Sequence, residues 1–249
     1  MSNGLNEHLM LIVGQSCSGK SASLRNIRDQ ENWIYACTES GKALPFKNKF
    51  KSLNVVTPNE LTNCISYFNS SESKKDFECK GLIIDSLTFL LDQVESQIVR
   101  TSTNTQRAWA EYGDFFKTLF QQQIAAFNKP TIVTAHLLET FKDTDVGTRV
   151  TSTVPIKGSL KGVGVEAYFS NIFLARKVAI SDLEPFMNDN LHISEDEADI
   201  GYKYVIQTRP TKDVLEVRIR TPMGMFKKNE TFIDNDAQIL LDRLTEFYS

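Results

Sequence analysis

Leu9-Met10-Leu11-Ile12-Val13-Gly14-Gln15-Ser16-Cys17-Ser18-Gly19-Lys20-Ser21 carries the strongest structural signal in the chain. An apolar run suited to a buried strand enters a turn bounded by Gly14 and Gly19 that ends in Lys20-Ser21. Ala22 to Arg28 follow as good helix formers, so a helix is expected directly after the turn. The glycines let the backbone curl until the N–H groups from Gly14 through Gln15, Ser16, Cys17, Ser18, Gly19, Lys20 and Ser21 converge on phosphate oxygens. The helix start adds its positive dipole end. Lys20 has the length to reach the β- and γ-phosphates, and the Ser21 hydroxyl is a ligand for Mg²⁺. A glycine turn with a surface lysine is the competing reading. The fixed spacing in a strand-to-helix context favours nucleotide binding.

With 249 residues, the chain is long enough for one large α/β domain with a substantial core. Hydrophobic residues make up 41% and charged residues 24%, which is ordinary for a globular protein. No apolar stretch approaches the length of a membrane span, and Met1-Ser2-Asn3-Gly4 does not open a secretory signal, so a cytoplasmic protein is expected. The four cysteines, Cys17, Cys37, Cys64 and Cys79, lack C-x-x-C spacing and read as reduced thiols. A net charge of −3 argues against a broad basic face, so any nucleic-acid contact needs a local cluster or repeated copies.

Further strands are expected at Trp33 to Cys37, Leu53 to Val56, Gly81 to Asp85, Thr131 to Ala135 and Phe169 to Ala175. Helices are expected from Pro58, over Leu87 to Arg100 and over Arg107 to Phe127. This alternation predicts a mostly parallel central sheet flanked by helices. Residues 70–76 read as a polar loop, 138–165 as a long mobile loop, and 178–200 as an acidic surface loop. Tyr202 to Thr208 and Val214 to Thr221 alternate around Pro210 and predict a C-terminal antiparallel hairpin. Asp234 or Asn235 is expected to cap a last helix that buries Ile239, Leu240, Leu244 and Phe247. No repeat and no second domain are evident, so residues 1–249 read as a single domain.

Asp85 ends its strand where an acid would hold the water shell of Mg²⁺ beside a triphosphate; capping the next helix is the alternative. Glu39 opens onto the same sheet edge, where a carboxylate orients and deprotonates a water; a surface glutamate is the alternative. His136 ends another strand on that edge and is placed to contact the γ-phosphate or its water, with a helix-capping or core role as the rival reading.

In this order the motifs resemble those of the RecA-like ATPases: Gly-x-x-x-x-Gly-Lys-Ser, a glutamate after the second strand, Ile83-Ile84-Asp85-Ser86, and a polar residue ending the next strand. Within that group the chain resembles the short phage-encoded RecA-like proteins associated with single-strand annealing and recombination. Thr134-Ala135-His136, Trp109-Ala110-Glu111-Tyr112-Gly113-Asp114 and Thr221-Pro222-Met223-Gly224 carry this finer likeness. The resemblance implies ATP and Mg²⁺ as ligands, catalysis by Lys20, Glu39 and His136, and metal binding by Ser21 and Asp85. It also implies a homo-oligomeric ring or filament with single-stranded DNA as partner. The loop 138–165 matches the position of a DNA-contacting loop, and it contains Phe141, Lys142, Arg149, Lys157 and Lys161. Cations tracking phosphates and an aromatic face for base stacking suit that use. Arg100, Arg107 and Trp109 are candidates for a second contact, with a packing anchor the favoured reading of Trp109, and Arg176 and Lys177 are candidates for a finger toward a neighbour's nucleotide. Two other classes stay open: a P-loop small-molecule or nucleotide kinase, against which the scarcity of arginine in the loop counts, and an ATP-switched scaffold without DNA activity.

Overall fold

The computed structural model describes residues 6–70, 77–144 and 147–249, with the backbone alone for residues 142, 144, 147–149 and 159. The polar stretch 71–76 lies outside the described residues. Leu9–Gly14 (β1), Trp33–Cys37 (β2), Lys51–Asn54 (β3), Gly81–Asp85 (β4) and Thr131–His136 (β5) form the first half of the sheet. Between them run the helices Pro58–Asn69 (α1), Leu87–Val94 (α2), Thr105–Thr118 (α3) and Ala125–Phe127 (α4). A Thr57 capping box with Glu60, and Pro58 in the first turn, start α1 where the sequence indicates. Both α2 and α3 continue as π-helical turns, over Glu95–Val99 and Leu119–Ile124.

The remaining elements are Leu138–Thr144 (β6), Gly147–Thr153 (β7), Asn171–Ala179 (β8), Ile180–Leu183 (α5), Glu195–Ile200 (α6), Tyr202–Gln207 (β9), Phe232–Asp234 (β10) and Ala237–Tyr248 (α7). The eight-stranded main sheet has the order β3-β2-β4-β5-β1-β8-β9-β10. Strands from β3 to β8 in that order run parallel, β9 pairs antiparallel with β8, and β10 pairs antiparallel with β9. This is the expected α/β P-loop fold, with an antiparallel extension at one side. Successive residues of β1 face opposite layers, as the strand period of two requires. Leu11 and Val13 join Leu61, Leu90, Tyr112 and Phe116 under the helices α1 to α3. Met10 and Ile12 join Leu24, Ile27, Leu240 and Leu244 under α7.

Register aligns the ends of the parallel strands. Gly14 pairs with His136 across β1 and β5, and Cys37 pairs with Asp85 across β2 and β4. The phosphate-loop start, His136, Asp85 and the residues after Cys37 therefore share one carboxyl edge, where ligands of open α/β sheets bind.

Several expectations are corrected. After the loop there is a 3₁₀ turn, Ser21–Asn26, in place of a regular helix to Arg28. Only Ser23 and Leu24 of that turn are buried, so it lacks the apolar stripe a longer helix needs. The third strand begins at Lys51, not Leu53, because Lys51 pairs with Ile34. The span 138–165 contains an antiparallel hairpin, β6 with β7, and a 3₁₀ turn over Gly158–Lys161. Its strands are rich in β-branched residues, and the Thr140 and Thr151 hydroxyls meet at 2.7 Å across it. The acidic stretch holds the end of β8, then α5 and α6. Ser194 and Glu197 form a capping box at α6, and Gly201 closes that helix in the left-handed conformation.

The predicted hairpin of 202–208 with 214–221 does not form. Strand β9 pairs with β8 on one side and β10 on the other, which leaves no free edge for a further strand. Residues 214–221 instead carry single bridges from Val217 to Ser152 and from Arg220 to Ile172. Asp236, not Asp234 or Asn235, caps α7, and Phe247 is exposed rather than buried.

Candidate nucleotide site

Each end of the aligned strands delivers one side chain to a cleft of about 520 Å³ above the carboxyl edge. Gly14 is required by close packing: a Cβ there would lie 2.4 Å from both the Ala175 carbonyl and the Ser18 hydroxyl. Gly19 is required by its backbone, at φ +95°. Gln15, Ser16 and Cys17 lie exposed between them. The Ser18 hydroxyl is buried without a partner among the described residues, a donor that suits a phosphate oxygen.

Lys20 lies inside the loop it terminates. Its Nζ donates to the carbonyls of Gly14 at 3.0 Å and Gln15 at 2.7 Å, and stands 3.3 Å from His136 Nδ1. Burial pushes its pKa down to about 8, against the opposing pull of Asp85 and Glu39.

His136 is the link between the loop and the acid. An ammonium only donates, so Nδ1 accepts from Lys20 and the ring proton sits on Nε2, 3.4 Å from Glu39 Oε1. Burial and the Lys20 charge lower the imidazole pKa, outweighing Glu39, so the ring is neutral at pH 7. Burial alone would raise the Glu39 carboxyl. Hydrogen bonds from Lys42, at 2.8 Å, from His136 and from Ser86 Oγ, at 3.1 Å, win and hold it below the usual carboxylate range. Position follows from Thr38, whose N–H and hydroxyl donate to the carbonyls of Asp85 and Ser86 and so fix the turn carrying Glu39 beside β4.

Asp85 is clamped from both neighbouring strands: Tyr35 donates from β2 to Oδ2 at 2.9 Å, and Thr134 from β5 to Oδ1. Burial raises the Tyr35 pKa, keeping its phenol protonated as a donor. No group of three or more His, Cys, Asp or Glu among the described residues is arranged to hold a metal alone. A hydroxyl at Ser21 with one oriented carboxylate at Asp85 fits Mg²⁺, which keeps most of its ligands as water and phosphate oxygen.

A protein-family model described as an AAA domain matches residues 6–172. The chain belongs to the AAA-domain family. That match covers β1 to the start of β8 and includes Lys20, Glu39, Asp85 and His136. An AAA domain is a P-loop ATPase domain, so the family implies nucleotide binding and, usually, Mg²⁺. None of the curated proteins matches the chain.

In this AAA domain two of the cations expected to meet DNA, Arg100 and Lys157, share Glu95 as a partner, with Trp109 close by against Gly158. Phe141 is 67% exposed on β6. Lys142 and Arg149 pair across the hairpin by backbone, and their side chains lie outside the described residues. Lys157 is engaged by both oxygens of Glu95, at 2.7 and 2.9 Å, and Lys161 is exposed on the neighbouring 3₁₀ turn. Arg100 pairs with Asp92 and Arg107 with Glu111, while Trp109 packs on Gly158. Arg176 is paired with Asp213 at 2.7 Å, and Lys177 lies over the rings of Tyr202 and Tyr204.

Sequence reasoning missed Lys42, Tyr35 and Thr134. Thr134 had a signal, a hydroxyl inside an otherwise apolar buried strand. Tyr35 and Lys42 had none, because their roles depend on which strands are neighbours. The described residues contain no helix long and apolar enough to cross a membrane.

Proposed function

We propose that this AAA domain is a Mg²⁺-dependent ATPase of the RecA-like branch, related to the short phage type, that binds single-stranded DNA in annealing, recombination or replication. It would work in the cytoplasm as a ring or filament. The observation that carries the reading is the line Lys20–His136–Glu39, in which a phosphate-binding cation and a general base are joined through one neutral imidazole.

In hydrolysis, Glu39 takes the proton of the attacking water as the water oxygen forms its bond to the γ-phosphorus and the bond to the departing ADP oxygen breaks. Lys20 offsets the negative charge on the transferring group. The neutral His136 holds both and supplies no competing positive charge to Glu39. Ser21 and Asp85 would hold Mg²⁺, whose chemistry when bound would be to neutralise negative charge on the phosphates.

Support for coupling to DNA comes from the hairpin. Strand β6 begins two residues after His136, and Gln15 of the loop donates to Glu139 of β6 at 2.5 Å. The loop and the hairpin are thus joined neighbours, with exposed Phe141 available for stacking. The test is ATP turnover with and without single-stranded DNA, alongside Glu39→Gln. Stimulation by DNA in the parent, and a turnover loss of about 10² to 10⁴-fold in the variant with nucleotide still bound, is the expected result. Turnover stimulated instead by a small phosphate acceptor would replace this reading with a kinase.

A further inference from the structure

The phosphate loop is braced by chain that lies beyond the family match. Asn235, between β10 and α7, donates from Nδ2 to the Gly19 carbonyl at 2.9 Å. A Cβ on Gly19 would stand 2.6 Å from that same nitrogen, so the contact also requires glycine. Three more bonds join the segment after the loop to the start of α7. Asn26 donates to Asp236 at 2.6 Å, the Arg28 backbone N–H donates to Gln238 at 2.9 Å, and the Arg28 guanidinium pairs with Asp242. Leu24 and Ile27 share an apolar cluster with Leu240, Leu241 and Leu244. Because Ser21–Asn26 is only a short 3₁₀ turn, it has few internal hydrogen bonds with which to hold the loop unaided.

The direction of the Asn235 bond matters. In a trans peptide the C=O and the following N–H point opposite ways. The Gly19 oxygen is held by Asn235 and by the Ser23 N–H at 3.0 Å, so the Lys20 N–H is turned away from them, toward the loop mouth. An N–H fixed in that direction is a ready anion donor, whereas a peptide free to rotate must be ordered by the ligand at a cost in affinity.

We propose that Asn235 is a positioning residue for nucleotide binding, setting the Gly19–Lys20 peptide from the C-terminal segment. The inference rests on the nucleotide reading above. It makes the residues beyond 172 part of the working phosphate site, not an appendage to it.

Asn235 is 4% exposed and its Oδ1 has no partner among the described residues. Replacement by alanine loses one hydrogen bond and also removes an unsatisfied acceptor, so the fold changes little in stability. The test titrates a fluorescent ADP analogue with Mg²⁺ into the full chain, Asn235→Ala, Asn235→Asp and Leu61→Ala, a buried position in the opposite layer that touches no part of the brace, with melting temperatures measured in parallel. Asn235→Ala is expected to weaken binding about tenfold or more at a near-parental melting temperature. Asn235→Asp is expected to weaken it at least as far, since a carboxylate oxygen would face the Gly19 carbonyl. Leu61→Ala is expected to lower the melting temperature while keeping affinity at low temperature. Parental affinity in Asn235→Ala, or an equal affinity loss in Leu61→Ala, overturns the brace alone. A parent chain that binds no nucleotide overturns the nucleotide reading and the brace with it.

Discussion

Lys20 shows how a single residue meets opposed demands. Its ammonium is useful in the phosphate loop because it is held away from bulk water, and the same burial lowers its pKa to about 8. The unfolded chain, with an ordinary lysine pKa of 10.5, binds more protons between these two values. Stability attributable to Lys20 therefore rises with pH from about 8 to 10.5, and the full cost is present below 8. Lys20→Met is expected to be more stable than the parent at pH 7, on the order of 1–3 kcal/mol. In denaturant titrations the gap should close toward pH 10.5, and a gap independent of pH would contradict the assigned burial cost. Motif spacing made Lys20, Ser21, Asp85 and Glu39 legible as candidates. The join of Lys20 to Glu39 through His136 was not, because the order of strands in the sheet, not sequence spacing, puts β5 between β1 and β4.

Among the elements, the hairpin of β6 and β7 departs furthest from the sequence reading. A strand announces itself by alternation only when one of its faces is buried. Here polar residues occupy both faces, so backbone pairing and β-branched content form the hairpin without an apolar period. On the DNA-binding function proposed above, Phe141→Ala should weaken single-stranded-DNA binding by about 5- to 150-fold, the 1–3 kcal/mol of one stacked base, with nucleotide affinity measured alongside. Unchanged DNA affinity would remove Phe141 from the contact. The acidic stretch has the opposite history: its Ser194 and Glu197 were the readable capping pair, and a reading by net charge alone passed over them.

At the scale of the whole molecule, two layers of side chains lock the sheet that presents the site. Phe116 is fully buried under the layer of α1 to α3, in edge contact with Tyr112 and Phe115. Phe116→Ala should destabilise the fold by about 3–5 kcal/mol by chemical denaturation, since a cavity there cannot fill without moving several helices. A loss below about 1 kcal/mol would mean that the layer repacks freely.

Apolar runs ending in polar residues determined by themselves that β1, β2, β4 and β5 exist, that they lie parallel and buried, and that a phosphate loop follows the first. Those features are local, and the physics that sets them acts within a few residues. Only the tertiary structure decided that Tyr35 and Thr134 clamp Asp85, that β9 spends both edges on β8 and β10, and that Asn235 reaches Gly19. Each of those depends on hydrogen-bond partners far apart in the chain, and a donor's value is settled by the acceptor that folding brings to it.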